Sequence, residues 1–145
     1  MTRSMLSLGI ALALVLLLTP GVTGQELDRP TSADGARVYI IAPSGGEPVA
    51  SPVKIQFGLS GMGVSPAGVE VANTGHHHLL IDTELPPLDA AIPNDAEHRH
   101  FGGGQTETTL ELDPGVHTLR LLFADHRHIA HDPPLVSEVV TITVR

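Results

Sequence analysis

The sequence predicts an all-β protein, a single immunoglobulin-like antiparallel β-sandwich, and three observations support this fold class. Apolar stretches after the first 24 residues are short and are separated by glycine and proline, of which the chain has 15 and 12. Several of these stretches alternate apolar and polar residues, the pattern of a strand with one buried face. No stretch in this part keeps the 3.6-residue period of an amphipathic helix. A length of 145 residues corresponds to one domain.

Residues 1–24 have the layout of a secretory signal peptide that is cleaved before Gln25. Arg3 supplies a positive start, residues 6–18 are apolar, and small residues precede the cleavage position. The apolar run is shorter than the roughly 20 residues that a membrane-spanning helix needs. We therefore expect a periplasmic or secreted protein that has no membrane contact after cleavage.

The remaining chain divides into a tether and a domain. Residues 25–36 are polar and without period, which predicts a flexible tether, and residues 37–145 form the predicted sandwich. Alternation and turn residues mark its strands. The predicted strands cover residues 37–41, 53–59, 77–82, 106–112, 117–124 and 137–144, with residues 69–71 as a short edge strand. A proline-rich connection is expected over residues 84–105, and Asp132-Pro133-Pro134 is expected to end a loop before the last strand.

Composition excludes several function classes. The chain has no cysteine, so it has no disulfide, iron–sulfur cluster or thiol nucleophile. Eight basic residues stand against 16 acidic ones, a formal net charge of -8, whereas nucleic-acid binding needs a basic surface. A cation is a better match for this charge.

Histidine is the residue type that points to chemistry. All nine histidines lie between positions 76 and 131, and six of them form His-x-His pairs. Residues two apart on a strand point to the same face with Cα atoms about 6.6 Å apart. Two such imidazoles can turn towards one metal ion at about 2.0–2.1 Å. The pairs are His76/His78, His98/His100 and His126/His128.

The strand pattern assigns these histidines to faces. If Leu79 and Ile81 fill the core, His77 points inward as a partly buried, hydrogen-bonded residue, while His76 and His78 share the opposite face. The predicted metal ligands are His76, His78, His126, His128 and His131, with His117 added. His117 is in phase with a core strand, so it is either a ligand at the end of the sandwich or a satisfied core histidine. The pair His98/His100 is left open as a lid, a secondary site or neither.

Nitrogen and oxygen ligands without sulfur suit Cu(II), Zn(II) or Ni(II), and the prediction is Cu(II) or Zn(II). A methionine-rich Cu(I) carrier is disfavoured because Met62 is the single methionine after residue 24. Residues 101–105 contain a glycine run that lacks the lysine of a phosphate-binding loop. We expect this run to be backbone that passes close to the histidines.

Several segments in order resemble a bacterial exported family known as domain of unknown function 4399. They are FGLSGMGVSPAG (57–68), NTGHHHLLID (73–82), HFGGGQTE (100–107), PGVHTL (114–119) and DHRHIAHDPP (125–134). The resemblance spans roughly residues 37–145. It implies an exported bacterial domain that is defined by its histidine-bearing segments, and it carries no catalytic assignment.

Three functions are compatible with the sequence. The first is a non-enzymatic module that buffers, delivers or senses the metal ion, with a second exported protein as a candidate partner. The second is a structural or interaction domain whose histidines form hydrogen-bond networks or a pH switch. The third is a metalloenzyme with an open coordination position, for which Glu97 and Glu107 are only nominal bases. The sequence shows no nucleophile motif beside a histidine, so it gives no indication of a hydrolase.

Overall fold

The computed structural model describes residues 28–145, and this part of the chain is all-β, with nine strands and no helix. No segment of it is a helix with the length and apolar character needed to cross a membrane. The predicted signal peptide and residues 25–27 of the predicted tether lie outside the described residues. The strands are β1 (Arg37–Ala42), β2 (Val53–Ser60), β3 (Gly63–Val64), β4 (Thr74–Ile81), β5 (His98–His100), β6 (Glu107–Leu110), β7 (Gly115–Ala124), β8 (Ala130–Val136) and β9 (Val140–Val144).

Two sheets face each other across one hydrophobic core. The smaller sheet has the order β1-β2-β6, and the larger has β3-β4-β7-β8, with β5 also paired to β4 and β9 to β7. All these pairs are antiparallel except β3 with β4. Ile55 and Phe57 of β2 share a buried cluster with Leu79 of β4 and with Leu121 and Phe123 of β7. The alternation that predicted an inward face for β2 is therefore confirmed, and the fold is a β-sandwich in its layering.

The outer face of the larger sheet is covered as well. In β4 every residue from 75 to 81 is buried, although a strand with one solvated face would alternate. Leu80 and Leu122 form a second cluster with Ile92, against which Leu85 and Leu88 pack from the proline-rich connection. The face of β4 that carries His76 and His78 is thus covered by other parts of the protein and is not exposed to water.

Four predictions about individual strands were wrong. Residues 98–100, expected to lie in the proline-rich connection, form β5. Residues 69–71 form no strand, and Val69 and Val71 are exposed. A two-residue strand, β3, occurs instead at Gly63–Val64, where no strand was predicted. Strand β8 includes Asp132-Pro133-Pro134, which was expected to be a stop. Because β8 lies at an edge of the larger sheet, prolines there remove no hydrogen bond that a central strand would need.

Residues 28–36, the described part of the predicted tether, run beside β8. The Ser32 N–H donates to the Asp132 carbonyl at 3.0 Å, and the Asp132 N–H donates to the Pro30 carbonyl at 2.8 Å. The guanidinium of Arg29 donates to the Ala130 carbonyl at 3.1 Å. This segment therefore adds hydrogen bonds to the edge strand that follows the histidine-bearing turn.

Candidate metal centre

Four histidine side chains converge on the outer face of the larger sheet. They are His76, His78, His100 and His128, and each offers a ring nitrogen such that the four atoms all lie within 4.8 Å of one another. His76 and His78 are fully buried, whereas His100 and His128 are half-buried. The cluster therefore has a buried floor and a side that reaches towards solvent.

Strand geometry places three of the four rings. His76 and His78 are two residues apart on β4 and so point to the same face. Strand β5 pairs with β4 so that His100 lies directly opposite His78. Facing residues of an antiparallel pair bring their side chains within contact distance, and the ring centroids of His78 and His100 are 5.1 Å apart.

The fourth ring comes from the turn between β7 and β8. His128 has a left-handed backbone, with φ of 67°. The buried carboxylate of Asp125 holds this turn, because its Oδ1 accepts the N–H groups of Arg127 at 2.8 Å and Ile129 at 2.9 Å. The His128 carbonyl also accepts the Ile92 N–H at 2.9 Å. His128 is thus fixed from inside the turn and from the connection that covers it.

The glycine run lies against the cluster, as the sequence predicts. A Cβ atom placed on Gly102 would lie 2.3 Å from Cε1 and 2.4 Å from Nε2 of His100, closer than any side chain tolerates. The Gly102 carbonyl in turn accepts the Ala67 N–H at 2.8 Å. Only glycine allows the backbone to pass this close to the His100 ring.

Burial lowers the pKa of three of the four rings. Desolvation, followed by the neighbouring His100 and His128, lowers the pKa of His76 to about 4. Desolvation, followed by His76, His100 and His128, lowers the pKa of His78 to about 2. The pKa of His100 is also lowered, by burial and by His128. Neutral imidazoles are the form that binds metal ions, so these three rings would not need to lose a proton at neutral pH in order to bind one.

The ring nitrogens of the cluster cannot all be satisfied by hydrogen bonds to one another. Nε2 of His76 lies 3.1 Å from Nδ1 of His128 and also 3.1 Å from Nε2 of His78. A ring nitrogen carries either one proton or one lone pair, so at most one of these two contacts can be a good hydrogen bond. In addition, Nε2 of His100 is buried without a hydrogen-bond partner. A cation among the rings would accept all of these lone pairs at once.

Three of the predicted ligands do not join the cluster. His126 is not part of the cluster, and its Nε2 lies 4.0 Å from a carboxylate oxygen of Glu70. His131 is buried on β8 and stacks on Phe123 with ring centroids 5.8 Å apart. His117 has both ring nitrogens occupied, by the Asp82 carboxylate at 2.6 Å and by the Asp113 carbonyl at 2.8 Å. These neighbours, and not a shared centre, hold the three side chains.

His77 and His100 also differ from expectation. His77 faces inward as predicted, between Phe57 and Phe123 at centroid distances of 5.2 Å and 5.1 Å. It is fully rather than partly buried, and neither ring nitrogen has a hydrogen-bond partner, so that part of the prediction was wrong. His100, which the sequence left open, belongs to the cluster, whereas His98 turns away and contacts Asp95 at 2.9 Å. The His-x-His spacing around Arg99 was the available signal, but it puts His98 and His100 on the same face and so does not tell which ring joins the cluster.

Comparison with protein families places this histidine-bearing region in a named family. The model of the family "Domain of unknown function (DUF4399)" matches residues 55–145, which include all four converging histidines. The chain belongs to this family. The resemblance seen in the sequence is thereby confirmed. Comparisons of this DUF4399 chain with curated proteins and with solved structures find no match.

The His117–Asp82 pair should make the stability of the DUF4399 domain depend on pH. Hydrogen bonds to Asp82 and to the Asp113 carbonyl raise the pKa of His117 above its ordinary 6.5. Because the pKa is higher in the folded than in the unfolded state, protonated His117 stabilises the fold. This stabilisation is fully present below pH 6.5 and is lost as the pH rises through the folded-state pKa. We expect His117→Gln to lower the free energy of unfolding more at pH 5.5 than at pH 8.5. The difference should be less than about 1 kcal/mol, since the pair is at the surface.

Urea unfolding of wild type and variant at both pH values measures this difference. The Asp82→Asn variant removes the same ion pair and should show the same pH-dependent cost. Comparing variants with wild type at each pH cancels the contribution of the other histidines. An equal cost of His117→Gln at both pH values would contradict the assignment.

The glycine run offers a selective perturbation of the centre. Gly102→Ala forces the His100 ring away from its place, so we expect metal affinity to fall at least about tenfold, which equals about 1.4 kcal/mol. Competition with a coloured chelator measures this affinity. Gly103→Ala is the matched control, because the new methyl group would meet only the flexible end of the Gln105 side chain. Equal affinities of the two variants would show that Gly102 does not position His100.

Proposed function

We propose that this DUF4399 domain is a non-enzymatic metal-binding module whose ligands are His76, His78, His100 and His128. The observation that carries the proposal is the convergence of four histidine ring nitrogens within 4.8 Å on a buried floor. Zinc and other late transition ions bind imidazole nitrogen at about 2.0–2.1 Å, which corresponds to nitrogen–nitrogen distances of roughly 2.9–3.4 Å between adjacent ligands. Two of the observed pairs already lie at 3.1 Å.

The electrostatics support a divalent cation as the ligand. Proton competition is weak, because burial keeps the pKa of His76 near 4 and that of His78 near 2. Asp125 contributes a nearby negative charge that raises the pKa of His76 against these effects. The whole chain has a formal net charge of -8, which favours the approach of a cation. Cu(II) and Zn(II) are the ions proposed on the basis of the nitrogen donors.

The finer features of the proposal concern place and role. Residues 1–24 would direct export, so the domain would work in the periplasm or outside the cell. Its strand arrangement would be immunoglobulin-like. The proposed role is buffering, delivery or sensing of the ion. Delivery would require a second exported protein as the partner.

Metal analysis of protein purified without an affinity tag tests the proposal. We expect about one ion per chain after dialysis against Cu(II) or Zn(II), and loss of that ion in the double variant His76→Ala/His78→Ala. The matched control is His117→Ala/His126→Ala, which also removes two imidazoles but leaves the centre intact. Metal binding that is equal in the two double variants would overturn the ligand assignment, and no binding to wild type would overturn the function.

A structural or interaction domain is the second candidate function. Its support is that His98 and His117 each pair with a carboxylate, with Asp95 and Asp82 respectively, as histidines of a hydrogen-bond network would. On this alternative the cluster would also be a network, and its protonation would act as a pH switch. Absence of metal together with a folded, stable wild-type protein would favour it.

A further inference from the structure

The four rings of the centre are arranged in space as a tetrahedron and not as a square. The six centroid distances are 4.9 Å for His76–His78, 4.9 Å for His76–His100, 5.0 Å for His76–His128, 5.1 Å for His78–His100, 5.8 Å for His78–His128 and 4.6 Å for His100–His128. Four points with six similar separations form a tetrahedron. In a square, two of the six would be longer than the other four by a factor of about 1.4.

Metal–ligand distances turn this shape into a test of the ion. With nitrogens at about 2.0–2.1 Å, a tetrahedral ion would hold all six pairs of ring centroids about 5.2 Å apart. A square-planar ion with the same bond length would hold four pairs at about 4.5 Å and two at about 6.4 Å. The observed range of 4.6–5.8 Å fits the first arrangement and lacks the two long distances of the second.

The fold explains why the rings are not coplanar. His76 and His78 come from one strand, and His100 comes from its neighbour in the same sheet. His128 comes from a turn outside these two strands, and its ring centroid lies 5.0, 5.8 and 4.6 Å from those of His76, His78 and His100. Flattening the set would require His128 to move into the plane of the others. The Asp125 hydrogen bonds and the Ile92 N–H resist that movement.

The donor set is also closed. Among the described residues, no carboxylate joins the four imidazoles as a ligand. Four nitrogens fill the coordination sphere of a tetrahedral ion, whereas catalytic zinc keeps three protein ligands and one exchangeable position. Backbone at Gly102 covers His100, and His76 and His78 lie at most 1% exposed. The centre thus has four protein ligands, and its solvent side is formed by the half-buried rings of His100 and His128.

We infer that this centre selects Zn(II) in a closed, four-coordinate tetrahedral geometry and disfavours the tetragonal geometry that Cu(II) and Ni(II) prefer. The inference rests on the proposed function and narrows it. A closed site of this kind holds or stores an ion and does not present a water molecule for catalysis. Zinc has no geometric preference from its d electrons, so the shape of the cage costs it nothing.

Cobalt(II) is the probe that reports geometry directly. We expect the purified protein to bind one Co(II) ion from cobalt chloride with the intense visible bands of a tetrahedral ion, and Zn(II) to remove these bands stoichiometrically. Weak bands of a six-coordinate Co(II) ion, with metal still bound at one per chain, would overturn the inference and leave the proposed function standing. Binding of Cu(II) without binding of Co(II) or Zn(II) would likewise overturn the inference alone. No binding of any of the three ions would overturn the proposed function.

Single variants show whether all four rings are ligands. His100→Ala and His128→Ala should each lower the affinity for Zn(II) at least tenfold and change the Co(II) bands, because water replaces an imidazole. His126→Ala is the matched control two residues from His128, and its spectrum should equal that of wild type. An unchanged spectrum in either ligand variant would overturn the four-coordinate assignment, provided that circular dichroism shows the variant to be folded.

Discussion

Zinc is expected to raise the midpoint of thermal unfolding of the wild-type domain by about 10 °C when the free ion exceeds its dissociation constant about 100-fold. Binding to the folded state alone stabilises by about 2.7 kcal/mol at that excess, and 1 kcal/mol corresponds to roughly 4 °C for a domain of this size. The four rings lie on three separate elements, β4, β5 and the turn after β7. Unfolding must therefore disperse the ligands and release the ion.

The stabilisation should depend on the cluster and not on histidine in general. In His76→Ala/His78→Ala the shift should fall below about 2 °C, since two remaining imidazoles bind zinc weakly. His117→Ala/His126→Ala should keep the full shift, although its starting midpoint can differ. Scanning calorimetry at several zinc concentrations measures both. A shift of equal size in the two double variants would mean that zinc binds the surface of the domain elsewhere.

The period of a strand made one half of the centre predictable. Leu79 and Ile81 had to face the core, so residue parity placed His76 and His78 together on the other face, and it also placed His77 against Phe57 and Phe123. What parity cannot tell is whether the outer face meets water. Leu85 and Leu88 cover part of it from a connection whose proline content hides any period.

The other half depends on contacts that are distant in sequence. His100 lies on a strand of three residues, too short for a pattern, and its position is set by pairing with β4 about 20 residues earlier. In the turn, both His126 and His128 were candidates. The Asp125 hydrogen bonds and the positive φ of His128 decide which ring turns inward. A short polar side chain can hold a turn in many ways, so this choice could not be made from spacing alone.

His117 shows the same limit from the opposite direction. Its phase in β7 allowed either a ligand or a satisfied histidine, and the alternatives differ only in what lies beside the ring. Asp82 comes from the end of β4 and Asp113 from the turn before β7, and together they occupy both nitrogens. Convergence of partners on a side chain is a property of tertiary structure, which one strand does not encode.

Asp125 is expected to be the residue through which fold stability and metal affinity are linked, so Asp125→Ala should reduce both. Its buried carboxylate accepts the N–H groups of Arg127 and Ile129 and the Nε–H of Arg127 at 2.9 Å. Burial raises the pKa of Asp125, but these hydrogen bonds outweigh it and the pKa is lowered overall. Loss of charged hydrogen bonds, with the buried Ile129 N–H left unpaired, should cost about 3 kcal/mol.

Two comparisons separate the local effect from general destabilisation. Leu119→Ala opens a cavity in the inner core, away from the cluster, and large-to-small changes of this kind cost about 2–5 kcal/mol. It should lose stability to a similar extent and yet keep the zinc-induced shift, because β4, β5 and the turn stay in place. Asp125→Asn keeps an oxygen that can accept the two backbone N–H groups, so it should lie between wild type and Asp125→Ala.

In Asp125→Ala the zinc-induced stabilisation should fall by at least about 1.4 kcal/mol, which corresponds to a tenfold weaker site. The turn would then lose the side-chain hydrogen bonds that help hold His128 at a left-handed φ, a conformation that a non-glycine residue keeps only with support. Urea unfolding with and without zinc gives both quantities from one set of samples. Should Asp125→Ala and Leu119→Ala gain the same stabilisation from zinc, the turn would contribute to the fold alone, and His128 would not depend on Asp125 for its place in the centre.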